Sequence, residues 1–124
     1  MANELILIIE DNEKHRKLVR DVLAFKGYRL AEAETGEDGV RLARELRPSL
    51  ILMDIQLPGI NGITALGQIR EDPDIRHIPV IAVTASAMTQ DRQKIMAAGF
   101  DGYQSKPINV KDFVAAVRAM LDRT

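Results

Sequence analysis

The chain has 124 residues, 46% apolar and 28% charged, with a net charge of −1 and no cysteine. A domain of this length buries roughly two thirds of the surface its unfolded chain would expose, so a full core is available. The near-zero charge offers no global attraction to nucleic acid or to an anionic membrane, and the missing thiols exclude disulfides and cysteine-ligated metals.

No apolar run approaches a membrane span, and the N-terminal "MANELILIIED" lacks a basic region and a cleavage site. The expectation is a soluble, cytoplasmic single domain over residues 1–124. In chain order, "ELILIIE" from residue 4 is short and apolar on both faces, as a strand in the middle of a covered sheet is. Leu18, Val19, Val22 and Leu23 then share a helical face, and Gly27 ends that helix. "YRLAEA" from 28 reads as a second strand, followed by a helix on Val40, Ala43 and Leu46 with Pro48 as its stop. "LILMD" from 50 is a third strand, and Ile63, Leu66 and Ile69 mark a third helix. "PVIAVTA" from 79 is a fourth strand. The helix after it, near 88–98 and ending at Gly99, has only Met88, Ile95 and Met96 as sizeable apolar anchors. "GYQS" from 102 is a fifth strand. Val110, Phe113, Val114, Val117 and Leu121 form the last helix, with Asn109 and Asp112 suited to capping its start.

Strands alternating with helices predict a parallel sheet covered on both faces. Right-handed crossovers leave few topologies, and the leading one is an α/β, (βα)5 flavodoxin-like doubly wound sheet in the order 2-1-3-4-5. That order puts the functional crevice outside the carboxyl ends of the strands, where the order reverses between strands 1 and 3.

Strand 1 ends in Glu10 and Asp11, strand 3 in Asp54, strand 4 in Thr84, and strand 5 leads to Lys106. Strand 2, ending Ala31-Glu32-Ala33, delivers no group that can be assigned. Clustered carboxylates repel, and stability alone would not select them. A hard divalent cation removes the conflict, taking oxygens from Glu10, Asp11, Asp54 and the backbone carbonyl of Gln56; Mg²⁺, or Mn²⁺ in its place, fits. Asp54 is then suited to aspartyl-phosphate chemistry as a nucleophile. The cation and Lys106 would neutralise the phosphoryl oxygens, and Thr84 would donate its hydroxyl to one of them. Each residue has an ordinary reading too. "ED" after a strand is often a solvated turn. Asp54 is a helix cap in many such places, although Pro58 and Gly59 delay the next helix here. Thr84 alone is a strand residue and Lys106 alone a surface lysine. His15 and His77 have no ligand-spaced partner and read as surface residues, and Met88 and Met96 as core or interface residues. What sets the group apart is the convergence of four strand ends.

The motifs "IIEDN" (8–12), "LILMDIQLPGING" (50–62), "VTA" (83–85) and "SKP" (105–107) stand in an order and spacing that resemble the receiver domains of bacterial two-component response regulators, over the whole chain. "SLILMDIQLP" and "HIPVIAVTASAM" most resemble the single-domain regulators of cell division of the DivK type, and receivers attached to hybrid kinases share similar wording. The resemblance implies that Asp54 is the phosphoacceptor. It implies that Asp11 is a direct Mg²⁺ ligand, that Glu10 acts mainly through a metal-bound water, and that Gln56 supplies a carbonyl. By the same likeness Thr84 is the switch hydroxyl, Ala85 the small neighbour that leaves it room, and Tyr103 the aromatic that swings inward when Thr84 moves. Lys106 is the phosphate-contacting lysine and Pro107 follows a cis peptide. Glu10 departs from the commoner Asp at its position, which puts metal affinity in question.

The implied partners are a histidine kinase or histidine phosphotransferase and a downstream protein that reads a changed surface of the fourth helix, fifth strand and fifth helix. No nucleic acid or membrane partner is expected, and the implied state is a monomer or weak dimer. The chain would catalyse only its own phosphorylation and slow dephosphorylation. Three rivals stand beside this. A flavin carrier shares the fold, but "EDNEKH" repels phosphate where that carrier needs a hydroxyl-rich and glycine-rich loop. An aspartyl-phosphate phosphatase usually has a second Asp where Gln56 stands. A receiver that never accepts phosphate would bind partners constitutively.

Overall fold

The computed structural model describes residues 4–85 and 89–123, residues 89–91 by their backbone alone. Strands β1 (Leu5–Ile9), β2 (Arg29–Ala33), β3 (Leu50–Asp54), β4 (Val80–Thr84) and β5 (Gly102–Ser105) alternate with helices α1 (Glu13–Phe25), α2 (Gly36–Leu46), α3 (Gly62–Glu71), α4 (Thr89–Ala97) and α5 (Val110–Asp122). All strand pairs are parallel and the order is β2-β1-β3-β4-β5, as the alternation predicts.

Side chains of a strand alternate between faces, and the two faces build two cores. Leu7, Ile9, Ile51, Met53, Val80 and Ala82 pack with Val40, Leu66, Ile69 and Ile95 of α2, α3 and α4. Ile6, Ile8, Leu50, Leu52, Ile81 and Val83 pack with Val19 and Leu23 of α1 and Phe113 and Val117 of α5. The unbroken apolar runs of β1, β3 and β4 follow from burial on both sides. Each fully buried aliphatic side chain contributes roughly 1.5–3 kcal/mol against chain entropy.

Helix starts are fixed just past the strand-end loops. Asn12, Thr35, Asn61 and Asn109 accept the amides of His15, Asp38, Thr64 and Asp112. Each such cap contributes about 1 kcal/mol. At the opposite end of the sheet, Arg70 of α3 donates to the carbonyls of Arg76, Ile78 and Gly99 and to Asp101. Asp101 in turn accepts the first amide of β4, that of Val80, at 2.8 Å. One guanidinium therefore ties the entry of β4 to the entry of β5.

Several residues expected on apolar helix faces lie at their edges instead. Leu18, Leu46, Ile63, Met96 and Val110 are 41–46% exposed. A helix lying on a sheet buries a narrow stripe, and α1 spends its stripe on Val19 and Leu23. The other methionine read as core or interface, Met88, lies outside the described residues. Among the described residues no helix is long and apolar enough to cross a membrane.

Candidate functional site

Among the described residues, Glu10, Asp54 and Thr84 are the buried polar and charged ones, 3%, 5% and 2% exposed. All three stand at the carboxyl ends of neighbouring strands. Glu10 extends β1 by one residue, its amide donating to the Ala33 carbonyl at 2.9 Å. Arg16 of α1 donates to the Glu10 carbonyl at 3.0 Å. Asp54 closes β3 opposite Val83 of β4, and Thr84 closes β4 opposite Ser105 of β5. Lys106 follows β5, its amide donating to the Thr84 carbonyl at 2.7 Å.

Lys106 joins the buried acids. Its Nζ lies 2.7 Å from Glu10 Oε1 and 3.1 Å from Asp54 Oδ2. Asp54 Oδ1 accepts the Gln56 amide at 3.1 Å, and Glu10 Oε2 accepts the Asn12 amide at 3.2 Å. Asp11 is exposed at the rim, and Glu10, Asp11 and Asp54 each bring one carboxylate oxygen to within 4.8 Å of the others. This donor set is all oxygen and carries up to three negative charges against one lysine, which suits a hard divalent cation and not a soft metal.

Burial pushes Asp54 up, the Glu10 carboxylate beside it pushes further, and Gln56 and Lys106 only partly oppose them, leaving its pKa at about 6. Burial would raise Glu10 as well, but hydrogen bonds from His15, Asp54 and Lys106 outweigh it and hold Glu10 at about 2. Burial lowers Lys106, yet its bonds to Glu10 and Asp54 prevail and keep it above its ordinary value. The pair is thus unequal: Glu10 holds its charge firmly, and Asp54 is the more basic carboxylate.

The loop after β3 is pinned against the site. The Gly62 amide donates to the Ile55 carbonyl at 2.9 Å. A Cβ at Gly62 would stand 2.6 Å from the Asp54 carbonyl oxygen and 2.9 Å from Ile55 Cα, so only glycine permits this approach. Glu37 at the start of α2 accepts the Ile60 amide at 3.3 Å.

The structure therefore brings Glu10, Asp11, Asp54 and Lys106 together, with Thr84 at the adjoining strand end. Ala85 is exposed just beyond it, and Lys106 and Pro107 are joined by a cis peptide. Gln56 approaches Asp54 by its backbone, with its side chain exposed. Tyr103 is half-buried on β5 against the core under α2, α3 and α4, and the Arg92 guanidinium lies 5.4 Å from its ring centroid.

Two expectations need correction. His15 is not a surface residue. Its side chain is 13% exposed and its Nδ1 lies 2.8 Å from Glu10 Oε1. His77 is exposed. The missed signal was periodic: counting back four from Val19 on the Leu23–Val19 line lands on His15. Strand β2 also delivers a group after all. Glu32 accepts from Arg16 at 3.1 Å and Arg20 at 3.0 Å, and thereby steadies the arginine that holds the Glu10 carbonyl. A cleft of about 360 Å³ beside these residues is lined by Arg16, Arg20, Glu32, Asp38 and Arg41 and lies apart from Asp54.

The chain is similar to known proteins in sequence and in fold. The sequence model of the response regulator receiver domain matches residues 6–118. A polar-differentiation response regulator DivK from Brucella anthropi is 45% identical, over 94% of this chain and 94% of that protein. Its counterpart from Brucella ovis is 44% identical over the same shares. Among solved structures, the receiver domain of a sensor histidine kinase from Pseudomonas aeruginosa, with a magnesium ion coordinated in its active-site cleft, superposes with a TM-score of 0.90 at 32% identity, covering 98% of this chain and 99% of that one. A putative response regulator from Chloroflexus aurantiacus gives a TM-score of 0.93 at 26% identity, covering 97% and 98%.

Proposed function

From the premise that this chain belongs to the response regulator receiver domain family, we propose that it is a stand-alone switch that accepts a phosphoryl group on Asp54 and signals through a changed surface. The carrying observation is Lys106 bridging two buried carboxylates at adjoining strand ends, with a third carboxylate at the rim. The polar-differentiation regulators at 44–45% identity support a role of the same class, in the control of cell polarity or division.

Asp54 is the nucleophile: it closes β3 at the head of the pinned loop, with Lys106 and the Gln56 amide on its two oxygens, and with a pKa raised by burial to about 6 it is ionised at neutral pH. One of its oxygens attacks the phosphorus of an N-phosphorylated histidine on a kinase or phosphotransferase. The P–N bond breaks and the imidazole leaves with the electron pair. Glu10, Asp11, Asp54 and the Gln56 carbonyl would hold Mg²⁺, which supplies neutralisation of the phosphoryl oxygens when bound. Lys106 stays within reach of the same oxygens and matches their added charge. Thr84 closes β4, the strand paired with the acceptor strand, and donates its hydroxyl to the phosphoryl group. Tyr103 on the next strand, packed under α4, carries that movement to the face formed by α4, β5 and α5.

The test is transfer from a radiolabelled, histidine-phosphorylated kinase core. Label should move to the wild type and not to Asp54→Ala. Thr84→Ala and Tyr103→Ala should accept label yet lose phosphorylation-dependent partner binding. Label accepted equally by Asp54→Ala would refute the acceptor, and intact partner binding in the other two variants would refute the switch.

A further inference from the structure

His15 has a place that neither packing nor phosphoryl transfer accounts for. It continues the Val19–Leu23 line of α1, which faces the sheet. A leucine or methionine would fill that line without polar cost. The imidazole instead puts Nδ1 2.8 Å from Glu10 Oε1 and leaves Nε2 buried with no partner. The Glu10 carboxylate only accepts hydrogen bonds, so Nδ1 carries a proton and donates it. An unpartnered buried nitrogen costs stability. The arrangement retains the ring for its Nδ1 donor and for what that donor holds.

The other holders of Glu10 differ in permanence. The Asn12 amide is fixed in the backbone at the α1 cap and takes Oε2. Lys106 takes Oε1 but is shared with Asp54. When positive charge or a phosphoryl group comes to the site, Lys106 has other oxygens to follow. His15 does not: its ring lies on the sheet-facing line of α1 beside Ile8, Val19 and Glu10.

We propose that His15 is a positioning residue for divalent-cation binding: its Nδ1–H fixes the Glu10 carboxylate in the orientation that faces Asp11 and Asp54. This rests on reading the three carboxylates as a cation site. Hydrogen-bond partners of ligating groups set ligand orientation, and their loss typically weakens metal affinity about 10–100-fold.

The experiment is isothermal titration of Mg²⁺ into wild type, His15→Ala, His15→Asn and His15→Gln. Asparagine places an amide N–H where Nδ1 stands, and glutamine reaches toward Nε2. The expected result is about 10–100-fold weaker Mg²⁺ binding for His15→Ala and His15→Gln, with His15→Asn restoring most of the affinity. At saturating Mg²⁺, the rate of phosphoryl adduct formation from acetyl phosphate should return to that of wild type in every variant. Should His15→Ala not fold, the contrast between His15→Asn and His15→Gln carries the test. Wild-type affinity in His15→Ala, or no rescue by His15→Asn, overturns the positioning role while leaving the cation site standing. A wild type that takes up no Mg²⁺ overturns the cation site itself and the positioning role with it.

Discussion

Replacing Asp54 with asparagine should make the metal-free protein more stable at neutral pH. Asp54 is 5% exposed and faces a carboxylate that stays ionised to about pH 2. Its own pKa rises from 3.8 to about 6 on folding, a shift corresponding to roughly 3 kcal/mol. A raised folded-state value means that the folded protein binds this proton more tightly than the unfolded chain. The benefit of protonation is complete below 3.8 and is lost as pH rises through about 6, so at neutral pH the charge weighs against folding. Asparagine removes the charge and keeps an acceptor for the Gln56 amide. It also gives up attraction to Lys106, whose side chain keeps partial exposure at 19%, so the net gain should be about 1–2 kcal/mol. In a chain of this size that is roughly 4–8 °C in Tm. The assay is urea denaturation of wild type and Asp54→Asn in a chelator, at about pH 7.5 and again at about pH 4. The gap should be present at the first pH and close at the second, where wild-type Asp54 is protonated. Saturating Mg²⁺ should shrink or reverse it by stabilising the wild type alone. An Asp54→Asn variant no more stable than wild type at neutral pH, or a gap that persists unchanged in acid, would refute the electrostatic account.

Two further variants probe the frame around the site. Gly62→Ala puts a Cβ 2.6 Å from the Asp54 carbonyl oxygen, and the backbone must shift. It should cost about 1–3 kcal/mol in a denaturation curve and slow phosphoryl adduct formation, and an unaffected rate would show that the loop does not position Asp54. Arg70→Met removes donors to three carbonyls and Asp101 at the far end of the sheet. It should lower stability by about 2–3 kcal/mol with Mg²⁺ affinity unchanged, and a shift in affinity would refute the separation of the two ends.

The strands announced themselves because burial on both faces demands unbroken apolar runs, and β1, β3 and β4 have them. Asn109 caps the last helix as its local chemistry suggested, and Asn12 and Asn61 cap α1 and α3 in the same way. The acids at the strand ends followed from topology, since a parallel sheet collects its carboxyl ends on one edge. Contacts across elements were harder to read. Lys106 lies 52 residues from Asp54 in sequence, and its bridge to Glu10 and Asp54 depends on how β5 is placed beside β4. His15 was hidden because a polar residue on a buried line reads as exposed unless its partner is known. Glu32 was hidden for a similar reason, since its two arginines belong to α1 and not to its own strand neighbourhood. The exposed ring of Phe25, 86% accessible at the end of α1, shows the reverse: apolar character does not fix burial where the helix stripe has turned away.

Intact mass after incubation with acetyl phosphate, with and without Mg²⁺, for wild type and Asp54→Ala decides whether Asp54 accepts a phosphoryl group. The expected result is a single phosphoryl adduct that requires both Mg²⁺ and Asp54. No adduct on the wild type under any condition, or an adduct that forms equally on Asp54→Ala, would contradict it.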